Sequence, residues 1–206
     1  MPTGDYPCKE NEGCSHLCLL APTSPGYVCA CPTGVMLKEG SNTTCYNTPQ
    51  SMLLVAQRSV ISKISLDSPD FTPYTLPLKD LKRALTVDFD PKSEYIYWAD
   101  SQSKTISRAR LDGSEQSVVI HSNGVPDSIA IDPLARNIYW TDPVSDTITV
   151  ARLDGSARKV CNMDGLERRE LHSSDILHIF GLTLLGQHLY WTDMQRRTLD
   201  RINKDT

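Results

Sequence analysis

No run of about eighteen apolar residues occurs in this 206-residue chain, so no segment is long enough to cross a bilayer as a helix. The opening Met1-Pro-Thr-Gly-Asp-Tyr6 lacks the apolar stretch of a secretory leader. Neither charge dominates: 21 Lys and Arg stand against 25 Asp and Glu, and a net charge of −4 argues against nucleic acid as a partner. Arg196, Arg197, Arg201 and Lys204 are interspersed with acids and read as a solvated face. A nucleophile elbow is missing. His121, His172, His178 and His188 show no paired spacing, so each reads as a surface or strand residue and not as a base or ligand. Catalysis is therefore not expected, and no catalytic, cofactor-binding or metal residue is assigned.

Tryptophan is also scarce, and all three copies fall in one repeated tetrapeptide: Tyr97-Trp98-Ala99-Asp100, Tyr139-Trp140-Thr141-Asp142 and Tyr190-Trp191-Thr192-Asp193. The first two lie 42 residues apart, and the echo extends around them. Leu85-Thr-Val-Asp-Phe-Asp-Pro91 and Ser128-Ile-Ala-Ile-Asp-Pro133 precede them. Ile106-Ser-Arg-Ala-Arg-Leu-Asp-Gly-Ser114 and Ile148-Thr-Val-Ala-Arg-Leu-Asp-Gly-Ser156 follow. Several short β-type runs per unit at this period predict a β-propeller, one repeat per blade. Tyr97 and Trp98, adjacent in a strand, must point to opposite faces, so both rings are buried only if the sheet is covered on both sides. Asp100 and Asp142 close their strands, where a carboxylate accepts backbone N–H groups. Each Leu-Asp-Gly-Ser marks a turn with positive φ at glycine. These residues read as structural.

Six of the seven cysteines (Cys8, Cys14, Cys18, Cys29, Cys31 and Cys45) crowd the amino-terminal segment, which has too few apolar residues for a core and needs cross-links. Fifteen connectivities are possible. Zinc is the competing reading, but Cys29-x-Cys31 is too tight for a knuckle and His16 lacks a partner at ligand spacing.

Together these motifs resemble the EGF-plus-YWTD-propeller modules of the low-density lipoprotein receptor-related family, whose propellers have six blades. Gly13-Cys-Ser-His-Leu-Cys18 and Cys29-Ala-Cys-Pro-Thr-Gly34 carry the likeness to an EGF-like module. The resemblance implies the pairs Cys8–Cys18, Cys14–Cys29 and Cys31–Cys45. Calcium is not expected, because only Asp5 is acidic in Gly4-Asp-Tyr-Pro7 before the first cysteine. Asn42-Thr43-Thr44 is a glycosylation sequon, whereas Asn47-Thr-Pro is not.

The expected architecture is mostly β: an EGF-like module at 1–47, then a partial YWTD propeller at 48–206 with blade-like units near 50–80, 81–121, 122–160 and 161–206. Met52-Leu-Leu-Val-Ala56, Val60-Ile-Ser-Lys-Ile-Ser-Leu66 and Tyr74-Thr-Leu-Pro-Leu78 form the divergent first blade. The 161 residues from 46 to 206 make about four repeats of the six that close a ring. The third tetrapeptide follows the second by 51 residues, and Met163-Asp-Gly165 follows Leu153-Asp-Gly155 by only 10. A junction is therefore expected near Val160-Cys161, where one repeat runs into the end of a later one; the alternative is one repeat with a polar insertion. Cys161, the odd cysteine, is expected as a free thiol. Without leader or anchor, the chain is expected to be a fragment or an internally deleted form.

Two stretches, Met52-Leu-Leu-Val-Ala-Gln-Arg-Ser-Val-Ile-Ser-Lys-Ile64 and Ile179-Phe-Gly-Leu-Thr-Leu-Leu-Gly-Gln-His-Leu-Tyr-Trp-Thr-Asp-Met-Gln-Arg-Arg197, most resemble the Wnt co-receptor branch. Its members carry four EGF-and-propeller pairs ahead of a membrane anchor, and the Ser68-Pro-Asp70 insert is similar to the last pair. The resemblance implies an extracellular ligand-binding portion of a cell-surface receptor, reached through the secretory pathway. Its partners would be secreted proteins, Wnt proteins or their antagonists, met at a propeller rim, with no cofactor and with membrane contact only through the parent's anchor. The alternatives are an endocytic lipoprotein receptor and a matrix adhesion protein of nidogen type. Rim loops vary while blades persist, so no residue is assigned as a ligand contact.

Overall fold

The computed structural model describes residues 8, 13–46, 51–144, 147–156 and 179–204. The junction expected near Val160-Cys161 lies outside them, with Met163-Asp-Gly165, His172 and His178. Among the described residues the regular structure is all strand, and the fold is mostly β as the repeats imply. The chain divides into two compact units, Met1–Leu54 with Ser62–Thr75 and Val55–Ile61 with Leu76–Thr206.

Cross-links build the first unit. β1 (Leu17–Leu20) and β2 (Tyr27–Ala30) form an antiparallel hairpin with Cys18 opposite Cys29. The bridges are Cys8–Cys18, Cys14–Cys29 and Cys31–Cys45, with Cα–Cα separations of 5.5, 5.4 and 5.8 Å, within the usual reach of a disulfide. Cys14 and Cys45 are buried while Leu17, Leu19, Leu20 and Val28 are exposed, so the disulfides stand in for an apolar core. The Ser15 hydroxyl accepts the Cys45 N–H at 2.8 Å, and the Ser15 N–H donates to the Thr43 carbonyl at 2.9 Å. Asn42 is exposed on the loop so fastened. β3 (Met52–Gln57), β4 (Val60–Ser65) and β5 (Pro73–Thr75) form a sheet in sequence order, with β5 antiparallel to β4 from Ser62–Thr75 to Ile64–Pro73.

The second unit repeats one meander. β6 (Ala84–Asp90), β7 (Tyr95–Asp100), β8 (Thr105–Arg110) and β9 (Ser117–His121) make a four-stranded antiparallel sheet in sequence order. β10 (Ile129–Asp132), β11 (Asn137–Asp142) and β12 (Thr147–Arg152) make the next, and β13 (Ile179–Leu185), β14 (His188–Asp193) and β15 (Thr198–Asn203) the last. The first strand of the middle sheet, β10, lies beside both β6 and β13. Sheets so stacked along their first strands are propeller blades.

Because adjacent strand residues face opposite ways, each aromatic pair serves two interfaces. Tyr97, Ala99 and Ile106 of the first sheet pack with Ile129, Ile138 and Trp140 of the second. Tyr139, Ile148 and Val150 on the second sheet's other face pack with Ile179, Leu182, Leu189 and Trp191 of the third. Tyrosine therefore faces the following sheet and tryptophan the preceding one. A sheet covered on both sides buries both rings: Tyr139 is 1% exposed and Trp140 5%. The third sheet departs from this. Leu199 occupies the place of Ile148, yet Ile148 is 1% exposed and Leu199 70%.

Candidate binding surface

The strands of each sheet run end to end, so its turns fall into two groups at opposite ends. One end carries the aspartates of the aromatic repeats. Asp100 Oδ1 accepts the N–H groups of Gln102 and Ser103 at 3.0 and 2.9 Å, and Oδ2 those of Lys82 and Arg83 at 2.8 and 2.9 Å. One carboxylate thus closes its own turn and pins the chain entering the sheet. Burial pulls its pKa upward, but these bonds outweigh that and hold it below the usual carboxylate range. Asp193 Oδ1 accepts from Gln195 and Arg196 at 2.9 Å each. Asp142 Oδ1 accepts from Val144 at 2.9 Å, and its Oδ2 lies so near Gly124 that a Cβ there would sit 1.4 Å away. Carboxylates occupied in this way are caps. The nine repeat residues are spread over three sheets and are not gathered into one pocket.

The opposite end carries ion pairs between sheets. Asp90, wholly buried at the end of β6, accepts from Arg136 Nη1 of the β10–β11 turn at 2.6 Å and from the Ser93 hydroxyl. Burial raises its pKa, but Ser93 and Arg136 outweigh that and leave it lowered. Asp132, the same position in the next sheet, pairs with Lys204 at the end of β15. Its pKa is lowered in the same way: burial opposes, while Lys204 and the Ala135 N–H prevail. Asp88 goes the other way. Its Oδ2 accepts the Ile131 N–H of the neighbouring first strand at 2.8 Å, but burial dominates and raises its pKa.

The Leu-Asp-Gly-Ser turns also join sheets. Asp112 Oδ1 accepts the N–H and hydroxyl of Ser114 at 2.8 and 2.6 Å, and Asp154 those of Ser156 at 2.7 and 2.5 Å. Gly113 has φ +82° and Gly155 φ +77°. A Cβ on Gly113 would meet the Pro77 carbonyl oxygen at 2.7 Å, and one on Gly155 the Val119 oxygen at 2.2 Å. Pro77 and Val119 are themselves 42 residues apart, so each turn docks on the outer segment that precedes its own sheet. Sequence reading took these glycines for turn formers only; the matching offset was the signal that could have revealed the contact.

Two hollows open on this unit. One, of about 580 Å³, is lined by Lys79, Lys82, Asp80, Asp100, Glu115 and Gln116, with charges of both signs. The other, of about 430 Å³, lies where Arg136, Arg152, Asp154 and Ser156 approach Ser93 and Arg108. Among the described residues no cluster of His, Cys, Asp and Glu is arranged to hold a metal. No helix of the described residues is long and apolar enough to cross a membrane.

Residues 94–133, from the β6–β7 turn through β10, match the family model of the low-density lipoprotein receptor repeat class B. The chain is a relative of the low-density lipoprotein receptor-related proteins. It is 35% identical to mouse low-density lipoprotein receptor-related protein 5 over 283 residues, covering 99% of this chain and 18% of that one. The human protein 5 is 45% identical over 126 residues, 60% of this chain and 8% of the relative. Human low-density lipoprotein receptor-related protein 4 is 39% identical over 124 residues, 60% of this chain and 6% of the relative. The chain thus spans less than a fifth of the length of these curated relatives. The mouse alignment runs over 283 positions against 206 residues here, so at least 77 positions (283 less 206) lie opposite gaps in this chain. A chain from a crystal structure of a nidogen/laminin complex shares the fold, with TM-score 0.50 and 21% identity, over 74% of this chain and 89% of that one.

Proposed function

We propose that this chain is part of the extracellular ligand-binding region of a Wnt co-receptor, meeting secreted Wnt proteins or their antagonists at a blade rim. The observation that carries this reading is likeness along 99% of the chain to low-density lipoprotein receptor-related protein 5, cysteine module and blades together. The physics agrees with binding over catalysis. The repeat carboxylates are spent on backbone N–H groups, and the blades hold rigid turns with varied side chains out to solvent. Three disulfides suit an oxidising compartment, so the parent protein would act at the outer face of the plasma membrane.

Surface plasmon resonance on the parent ectodomain tests this. The expected result is saturable binding of a Wnt protein or a secreted Wnt antagonist. Tight binding of lipoprotein with neither of these would move the function to endocytosis. Binding of laminin alone would move it to matrix adhesion.

A further inference from the structure

The hollow at the ion-paired end of the second unit holds three guanidinium groups, and among the described residues two of them have no carboxylate in direct contact. Arg136 is fixed by Asp90 and reaches the Ser93 hydroxyl with Nη2 at 3.4 Å. Arg152, exposed, donates to the Ala135 carbonyl at 3.2 Å. Arg108 stacks on the Tyr95 ring at 4.6 Å, and its Nε is buried with no hydrogen-bond partner. Neither Arg108 nor Arg152 has a carboxylate within 4 Å among the described residues. Asp154, the acid in the wall, is engaged by Ser156 of its own turn, and the more distant Arg108 charge adds to the lowering of its pKa.

The repeat shows that blade packing does not require Arg108. Forty-two residues on, the same place in the next sheet is Val150, 7% exposed and part of the apolar core. A buried guanidinium nitrogen without an acceptor costs stability that valine would not. Arg152 likewise has a counterpart, Arg110, whose charge is taken up by Glu94, Glu115 and the Tyr95 ring. The hollow between the first and second sheets of this unit therefore leaves guanidinium donors open.

We propose that this hollow binds a side-chain carboxylate of an acidic peptide segment, with Arg108 and Arg152 donating to the carboxylate and Arg136 bordering it. A guanidinium presents a planar fork that matches a carboxylate bidentately. A volume of about 430 Å³ admits a side chain with its flanking backbone. Asp154 in the wall, and the net charge of −4, disfavour a densely charged polysaccharide. This end is opposite the one carrying Asp100 and Asp142.

Fluorescence anisotropy on the full chain tests it with three probes: a labelled Gly-Glu-Glu-Gly peptide amide, its Gly-Gln-Gln-Gly counterpart, and a labelled heparin oligosaccharide. The glutamate peptide should bind, weaken with added salt, and lose about tenfold in affinity or more in both Arg108→Val and Arg152→Gln. Arg108→Val installs the neighbouring sheet's own residue and should melt no lower than the wild type, while Arg152→Gln alters an exposed side chain and keeps the test valid if the first variant misfolds. Equal binding of the glutamine peptide, unchanged affinity in both variants, or binding of heparin alone would each overturn the proposal. The ectodomain assay with Wnt proteins uses different ligands, so the two tests fail separately.

Discussion

Gly155 and Gly186 both hold positive φ, +77° and +61°, but their surroundings differ. A Cβ at Gly186 meets nothing within 4 Å, whereas one at Gly155 would be 2.2 Å from the Val119 carbonyl oxygen. Gly186→Ala should therefore cost only the left-handed backbone penalty of about 1 kcal/mol. Gly155→Ala must in addition push two sheets apart, and should cost about 1–3 kcal/mol more. Urea unfolding of both variants checks this; equal costs would show that the turn does not bear on Val119. The turn itself was readable from Leu-Asp-Gly-Ser, because Asp and Gly are the residues such a turn demands. What it presses on was not, since lateral contact between sheets depends on stacking that no local pattern encodes. The same holds for Arg136, whose charge was plain but whose partner Asp90 lies 46 positions away across an interface.

Between elements, carboxylates of opposite sign of shift meet along the first strands. Asp90 has a lowered pKa, so its stabilisation is present above the unfolded value of about 4 and is lost as pH falls through its folded value. Asp88 has a raised pKa, so its contribution is present below about pH 4 and is lost as pH rises through its folded value. Asp90→Asn should cost about 1–3 kcal/mol at neutral pH, and the deficit should shrink as pH falls towards 3. Asp88→Asn should move oppositely, gaining on the wild type as pH rises from 3 to 7. Chemical denaturation of the three proteins across this range reads both trends. Parallel curves for the two variants would contradict the assignment of burial to one and ion pairing to the other. At this scale the strands themselves were legible: Tyr97 beside Trp98, with Asp-Pro before and Leu-Asp-Gly after, marks β6 through β8. The ion pairs were hidden because the third sheet uses Lys204, just past its last strand, where the second uses Arg136 from its first turn. A repeat conserves the carboxylate here without conserving its partner.

For the whole molecule, one rule organises the second unit: tyrosine forward, tryptophan back. It covers the middle sheet on both faces and leaves part of the last sheet's forward face exposed. Ile148 and Val150 are 1% and 7% exposed in the middle sheet; in the last, Leu199 is 70% exposed and the place of Val150 is taken by Arg201, also exposed. The break in the 42-residue period points to missing repeat material, at a seam that lies outside the described residues. Native-state hydrogen exchange on the purified chain, followed strand by strand, measures the consequence most directly. Amides of β7, β10 and β11 should exchange only with global unfolding, while those of β14 and β15 should exchange earlier through local opening of a sheet covered on one side. Uniform protection from β6 through β15 would contradict an uncovered last blade and would mean that the repeat continues without loss.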